Sequence, residues 1–201
     1  MKKYELLVED TITFFGVQLF RIKALISFSG IEKGEVGGYI ASEKNLSQSG
    51  NAWVYGNAWV YGDAEVYGNA DVYGDAEVSG NAKVSGNAKV YGNAKVYGDA
   101  EVYGDAEVYG NADVYGDAKV SGNAKVYGNA DYIVFKNTWS SGRYFTYTKS
   151  NKNWRVGCFY GSGAELVEKA YKDSKKSGDF YKAYVDFVEK LEEIENIHKE
   201  Q

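Results

Sequence analysis

Gly50-Asn51-Ala52-Trp53-Val54-Tyr55 is followed at once by Gly56-Asn57-Ala58-Trp59-Val60-Tyr61, and the same six-residue unit repeats without a gap as far as Ile133. Of the fourteen hexads between Gly50 and Ile133, thirteen obey G-[N/D]-A-x-V-[Y/S], and the last decays to Gly128-Asn129-Ala130-Asp131-Tyr132-Ile133. A short fixed period over such a length marks a solenoid, in which each unit buries its apolar side only against its neighbours. Along a strand, residues i and i+2 share a face, so Ala58 and Val60 should point inward and Trp59 outward. The Gly-Asn or Gly-Asp pair is corner chemistry, because glycine reaches positive φ freely and Asn or Asp can bond nearby backbone.

The variable position sets the number of strands per coil. From the third hexad it reads Glu65, Asp71, Glu77, then Lys83, Lys89, Lys95, then Glu101, Glu107, Asp113, then Lys119, Lys125, Asp131, so its sign changes in blocks of three. Three hexads per coil give the files Glu65-Lys83-Glu101-Lys119, Asp71-Lys89-Glu107-Lys125 and Glu77-Lys95-Asp113. Each acid then lies ~4.8 Å from a lysine on the next rung. A slip of one rung would stack like charges, so the pattern specifies register. Asp131 over Asp113 is the one expected exception. The interior, Ala and Val alone, should be narrow, dry and too small for a ligand. Tyr55, Tyr73, Tyr91, Tyr109 and Tyr127 recur at every third hexad and should form one outward file, serving either as edge packing or as an oligomer contact.

The repeat resembles the hexapeptide-repeat family of left-handed parallel β-helices. The resemblance covers the fourteen hexads of the chain and implies the handedness. It implies no single function, since that solenoid carries acyltransferases, carbonic anhydrases and structural proteins alike. The fold class expected is therefore mainly β: a left-handed parallel β-helix with a small N-terminal β cap and a C-terminal α+β cap domain. The domains expected are residues 1–36, 37–133 and 134–201.

In the first, Thr11–Phe14 and Val17–Ile22 read as two strands joined across Phe15-Gly16, closing an end that would otherwise expose unpaired backbone. Gly37-Gly38-Tyr39-Ile40 feeds the first coil. Asn45–Ser49 reads as a degenerate hexad with Leu46 in the Ala place, and Trp53 and Trp59 should pack beneath the cap. In the third, Arg143–Lys149 and Trp154–Tyr160 read as one hairpin, turning at Ser150–Asn153. Ser162-Gly163-Ala164-Glu165 is a capping box opening a helix to about Lys176. Gly178 should break it, and a second helix from Asp179 carries Phe180, Tyr184, Phe187, Val188, Leu191 and Ile194 at helical spacing. The charged tail, Glu192–Gln201, should fray. The topology expected is ββαα.

Net charge is −5, which argues against a general DNA-binding surface. One cysteine, Cys158, permits no internal disulfide and suits a reducing compartment. Met1-Lys2-Lys3 leads into Tyr4-Glu5 rather than an apolar run, unlike a signal peptide, and no apolar stretch reaches membrane-span length. The expectation is a soluble cytoplasmic protein.

Catalytic signals are sparse. The acyltransferases of the resembling family use a histidine base, usually beside a loop that interrupts the coils, and its carbonic anhydrases need three histidine ligands. The only histidine here is His198, in the C-terminal tail. Cys158, inside an expected strand, reads as a small core residue. Asp63, Asp99 and Asp117 read as Asx-turn corners rather than calcium ligands. No catalytic residue, metal site or cofactor motif is expected.

The best site candidate is the stretch Tyr132–Tyr160, which has no Asp or Glu. Its cations and rings, Lys136, Arg143, Arg155, Trp139, Tyr144, Tyr147 and Trp154, suit a stacked anionic ligand such as a nucleotide. Equally, the rings could be a domain core and the cations its solvated rim. The entry Gly37–Ile40 with Asn45-Leu46-Ser47, the GNAxVY repeats and the tail Val156-Gly157-Cys158-Phe159 together resemble uncharacterised phage and prophage proteins, some labelled polymer-forming. That resemblance implies a mobile-element origin in a bacterial host. The functional expectation is a non-catalytic homo-oligomer, trimer or dimer, whose partner is a small anionic ligand or a host protein, sequestered to counter host immunity. The alternatives are a self-associating scaffold and, least favoured, a hexapeptide-type acyltransferase.

Overall fold

The computed structural model describes residues 1–199. The chain divides into two compact units, Met1–Tyr132 and Ile133–Gln201.

The first unit is a parallel β-solenoid of about five turns. Its hexads supply thirteen two-residue strands, β4–β16, from Trp53–Val54 to Lys125–Val126. Strands three hexads apart pair in parallel: Lys89 aligns with Asp71 and Glu107, Lys95 with Glu77 and Asp113, and Glu101 with Lys83 and Lys119. The three files are those that the sign blocks predict. Ion pairs join Lys119 to Glu101 at 2.6 Å, Lys95 to Glu77 at 3.4 Å and Lys125 to Glu107 at 3.6 Å. Every Ala and Val from Ala52 to Val126 is at most 1% exposed, which makes the interior a continuous apolar column.

Rungs are also tied at the corners. Asn69 N–H donates to the Gly86 carbonyl at 2.7 Å, and the Asn69 side chain donates to Asn87 at 3.0 Å. A corner such as Gly86 must be glycine for two reasons. Its φ is +69°, and a Cβ there would lie 2.8 Å from the Gly104 nitrogen of the next rung. Backbones approach too closely for any side chain.

At the N-terminal end, strands β1 (Tyr4–Phe14) and β2 (Val17–Ala24) form a hairpin through Phe15-Gly16. Both turn residues have positive φ, 45° and 79°, as a type I′ turn requires. The strands are longer than the alternation suggests because a bulge between Leu7 and Thr11 interrupts the period of two. Strand β3 (Val36–Ile40) pairs antiparallel with β2 and then parallel with Trp59–Val60, so cap and coil share one sheet. This first coil is longer than three hexads by two residues, since Tyr39 aligns with Trp59 and Leu46 with Val66. Leu46 thus takes the Val place and not the Ala place. The extra pair falls before Trp53, and in that segment Gln48 Oε1 accepts the Lys3 N–H at 2.8 Å. The local irregularity is where the cap is fastened.

Trp53 is fully buried between Tyr4 and Phe28, and Trp59 packs on Phe14 at 4.9 Å. Lys3 is buried over the Phe28 ring, and its ammonium donates to the Ala52 carbonyl at 2.8 Å. At the other end of the repeat Asp131 does not stack over Asp113. Its carboxylate turns back to accept the N–H groups of Tyr127 and Gly128, at 2.7 and 2.8 Å. Asn129 Oδ1 instead accepts the Asp113 N–H, and the Tyr132 hydroxyl donates to the Asp113 carbonyl, both at 2.7 Å. Side chains thereby satisfy backbone that has no further rung to meet.

The second unit is a small antiparallel sheet of β17 (Tyr132–Lys136), β18 (Tyr144–Thr148), β19 (Asn153–Val156) and β20 (Phe159–Gly161), with helices α1 (Gly163–Asp173) and α2 (Lys175–Lys199). Four strands precede the helices, not two. The expected strand Trp154–Tyr160 is split by a turn at Gly157-Cys158, where Gly157 has φ +57°. Cys158 is therefore exposed rather than a core residue. The Ser162–Glu165 capping box forms as expected.

The helix break lies at Ser174, whose backbone is extended. Gly178 sits inside α2, where a Cβ would come within 2.1 Å of the Tyr171 ring. This glycine permits close helix packing instead of ending a helix. Tyr181, Val185 and Val188 of α2 join Phe145, Tyr147, Trp154, Val156, Leu166 and Ala170 in the core. Phe187, Leu191 and Ile194 remain exposed. Where fraying is expected, α2 continues to Lys199; Glu200 and Gln201 lie outside the described residues.

Candidate functional site

The seven basic and aromatic candidates do not converge. Strand alternation sends Phe145, Tyr147, Trp154 and Val156 into the core beneath the helices. Trp154 and Tyr147 are therefore core residues, at 2% and 3% exposure, with no face left for a ligand to stack on. The same alternation puts Lys136, Tyr144 and Arg155 on the opposite face of the sheet. There the Lys136 ammonium lies 5.1 Å from the centre of the Tyr144 ring. Trp139 is in the β17–β18 connection, 66% exposed and stacked on Phe180 of α2 at 6.2 Å.

Nor is the stretch acid-free in space. Lys149 pairs with Glu195 at 2.7 Å and Lys152 with Glu192 at 3.5 Å. Lys149 and Lys199 hold the Glu195 carboxyl down at about 2. Burial, aided by a hydrogen bond to Glu192, pushes the Tyr147 hydroxyl well above the usual phenol range. Helix α2 thus supplies the negative charge that the sequence window lacks.

Arg143 lies elsewhere, at the edge of a cleft of about 420 Å³. Val156, Leu166, Ala170 and Tyr181 provide the apolar floor, and the Gly157-Cys158 turn with Phe159 forms one wall. The Arg143 side chain runs beside Gly157, within 3.7 Å of where a Cβ would stand, so the glycine leaves room for it. Lys169 of α1 faces the same cleft, 5.8 Å from the centre of the Phe159 ring. Among the described residues neither cation forms an ion pair with a carboxylate, although Asp173, one turn beyond Lys169, also lines the cleft. Two cations over an apolar floor can bind an anion that carries a hydrophobic or aromatic body.

Sequence reasoning finds Arg143 but misses Lys169, because Lys169 stands outside the acid-free window, on an amphipathic helix. The signal available was Gly157: a glycine inside a strand-like run marks a turn, and that turn creates the cleft wall.

The tyrosine file is built as expected. Tyr73, Tyr91 and Tyr109 stack at 4.7 and 5.0 Å, and Tyr55 and Tyr127 continue the file edge-on at 6.3 and 5.3 Å. Tyr127 is the exposed member. The hydroxyls of Tyr55 and Tyr91 donate to Asp71 and Glu107 at 3.2 and 3.0 Å. Among the described residues no three His, Cys, Asp or Glu side chains come together as metal ligands would. No helix there is long and apolar enough to cross a membrane. No protein-family model matches the chain, and no curated protein matches it.

Proposed function

We propose that this is a non-catalytic binding protein of the phage-encoded hexapeptide-repeat kind, acting in the cytoplasm of a bacterial host. The solenoid is a rigid stand, and the C-terminal unit captures a small anionic, nucleotide-like ligand, a means of withdrawing a signal of host immunity. The observation that carries this reading is the pair Arg143 and Lys169, unpaired by carboxylates among the described residues, over the apolar floor of the cleft. The only histidine, His198, stands in the last turn of α2, which favours binding over general-base chemistry. The GNAxVY units and the Gly37-Gly38-Tyr39-Ile40 entry support the phage-type assignment.

Native mass spectrometry against a panel of nucleoside monophosphates, diphosphates and cyclic dinucleotides tests it. A discrete added mass is expected on the wild-type protein. Arg143→Ala with Lys169→Ala should lose that mass while keeping the circular dichroism spectrum. Retention of the mass by the double variant, or no addition from any anion, overturns the site.

A second reading, self-association, is favoured by the exposed stripe Phe187, Leu191 and Ile194 on α2. Its spacing of four and three is that of a coiled-coil seam. Lys190 and Glu195 flank it at the places of cross-helix pairs in a parallel dimer, but each is already paired within the chain, with Glu193 and Lys149, so association with a second copy would rest on the apolar stripe. Leu191→Glu should then turn a concentration-dependent oligomer into a monomer in sedimentation velocity.

A further inference from the structure

The solenoid unit carries a groove of its own, of about 560 Å³, chemically unlike the cleft of the C-terminal unit. It arises from the two cap-proximal tryptophans. Both occupy the outward position of a hexad, but Trp53 is wholly covered by Tyr4 and Phe28, whereas Trp59 keeps part of its ring open. Phe14, at the end of β1, leans on Trp59 at an interplanar angle of 59°, and Ile12 lies two positions back along the strand. Together they make an apolar, aromatic ledge.

Beside the ledge the corner positions Asn57, Asp75 and Asn93 also line the groove. They recur at every third hexad, one per rung, so three polar groups follow the solenoid axis ~4.8 Å apart. Asn57 donates to Asp75 only at 3.5 Å, a long bond. All three side chains are exposed, and each amide or carboxylate has more hydrogen-bonding positions than the ladder uses.

The charges narrow the ligand class. Glu77 and Lys95 line the groove and pair with each other at 3.4 Å, and Asp75 adds a negative charge, so a phosphate or carboxylate would be repelled. An apolar ligand would cover the ledge but strip water from the amide row without replacing its hydrogen bonds. A sugar ring meets both demands: its C–H face lies on an aromatic ring, while its hydroxyls both donate and accept at the rim. We propose that this groove is a binding site for a short neutral oligosaccharide, whose chain follows the Asn57–Asp75–Asn93 row with one ring on Trp59 and Phe14. The proposal does not rest on the anion cleft.

The test is binding of the full-length protein to an array of neutral, sialylated and phosphorylated glycans, followed by titration of the best neutral hit by isothermal titration calorimetry. A neutral glycan should bind, and Trp59→Ala should weaken it at least tenfold. Because Trp59→Ala could disturb the cap, Asn93→Ala, two rungs beyond the Trp59 contact, provides the second variant and should weaken binding severalfold, with the melting temperature lowered only by the loss of its exposed ladder bond to Asn111. Trp139→Ala, in the other unit, should leave the titration as it is. Absence of any neutral hit, a preference for acidic glycans, or affinity unchanged in both Trp59→Ala and Asn93→Ala overturns the proposal.

Discussion

In the solenoid a lysine's partner can be counted from the sequence; in the C-terminal unit it cannot. Lys95 lies between Glu77 and Asp113 because each stands three hexads away. Lys149 meets Glu195, far along the chain, through a helix that no local pattern attaches to that strand. The difference is one of contact order. A repeat buries each unit against copies of itself, so the neighbour of any residue is fixed by the period. An α+β unit chooses its neighbours through packing between unlike elements. A charge window read along the chain is therefore informative in the first region and misleading in the second.

A charge placed in the column should disrupt the solenoid most. Val90→Asp puts an unpaired carboxylate among alanines and valines that exclude water. We expect a loss of about 4 kcal/mol or more. Calorimetry should show the solenoid transition shifted or abolished, while the tertiary signal of the C-terminal unit persists. A single cooperative loss of both would show that the two units do not unfold separately.

Next in size is Gly178→Ala. Helix propensity alone calls for stabilisation, since Ala exceeds Gly by up to about 1 kcal/mol in a helix interior. The close approach of the Tyr171 ring to this position reverses the sign. We expect destabilisation of about 1–3 kcal/mol from overpacking in chemical denaturation, relieved when Tyr171→Ala is added. Stabilisation by the single substitution would restore the sequence-only reading of the second unit.

These two residues mark how far the sequence carries. Val90 could be assigned to a buried rung, a face and a partner from periodicity alone, and so could the opposed charges and the tyrosine file. Gly178 could not, because nothing local distinguishes a glycine that ends a helix from one that lets a helix approach. Gly157 did carry a signal, since a glycine within a strand-like run points to a bend, but the cleft that the turn helps to form beside Arg143 depends on the helices. That Trp154 and Tyr147 face the core could not be read, because a strand's inward and outward faces look alike until the helices that cover one of them are placed. Of the two cations at the proposed cleft, Arg143 was legible in the sequence and Lys169 needed the fold.

High pH should act on the first unit through two kinds of group with opposite signs. Burial and neighbouring carboxylates push Tyr55, Tyr61 and Tyr91 up to about 12. Their contribution is complete below the ordinary phenol value of 10 and is lost as pH rises through about 12. Lys3 acts in the other direction. Burial lowers it from 10.5 to about 8, so the unfolded chain holds the extra proton between those values and stability increases with pH there. Thermal melts should thus rise modestly from pH 8 towards pH 10 and fall beyond it. Lys3→Met should remove the rise and keep the fall. A rise that survives the substitution would assign it to another group.

The smallest effect is the one that separates the regions by kind. Lys95→Glu replaces a cation flanked by Glu77 below and Asp113 above, stacking three acids in one file. Because the groups are partly exposed, each lost or reversed contact is screened, and we expect about 0.5–1 kcal/mol in all at low salt. Most of it should vanish in molar salt, where the Debye length shrinks to about 3 Å. Lys182→Glu reverses a pair too, with Asp186 on α2, but Asp186 is 53% exposed where Glu77 is 16% exposed, so solvent screens the helix pair more. Its salt-dependent loss should be the smaller. What the solenoid adds is register: with one file reversed, a slipped stacking becomes less unfavourable relative to the native one. The expected signature is therefore a modest equilibrium change accompanied by a slower or heterogeneous refolding phase in the Lys95→Glu protein and not in Lys182→Glu. Equal refolding of the two would reduce the alternating charge blocks to ordinary surface ion pairs.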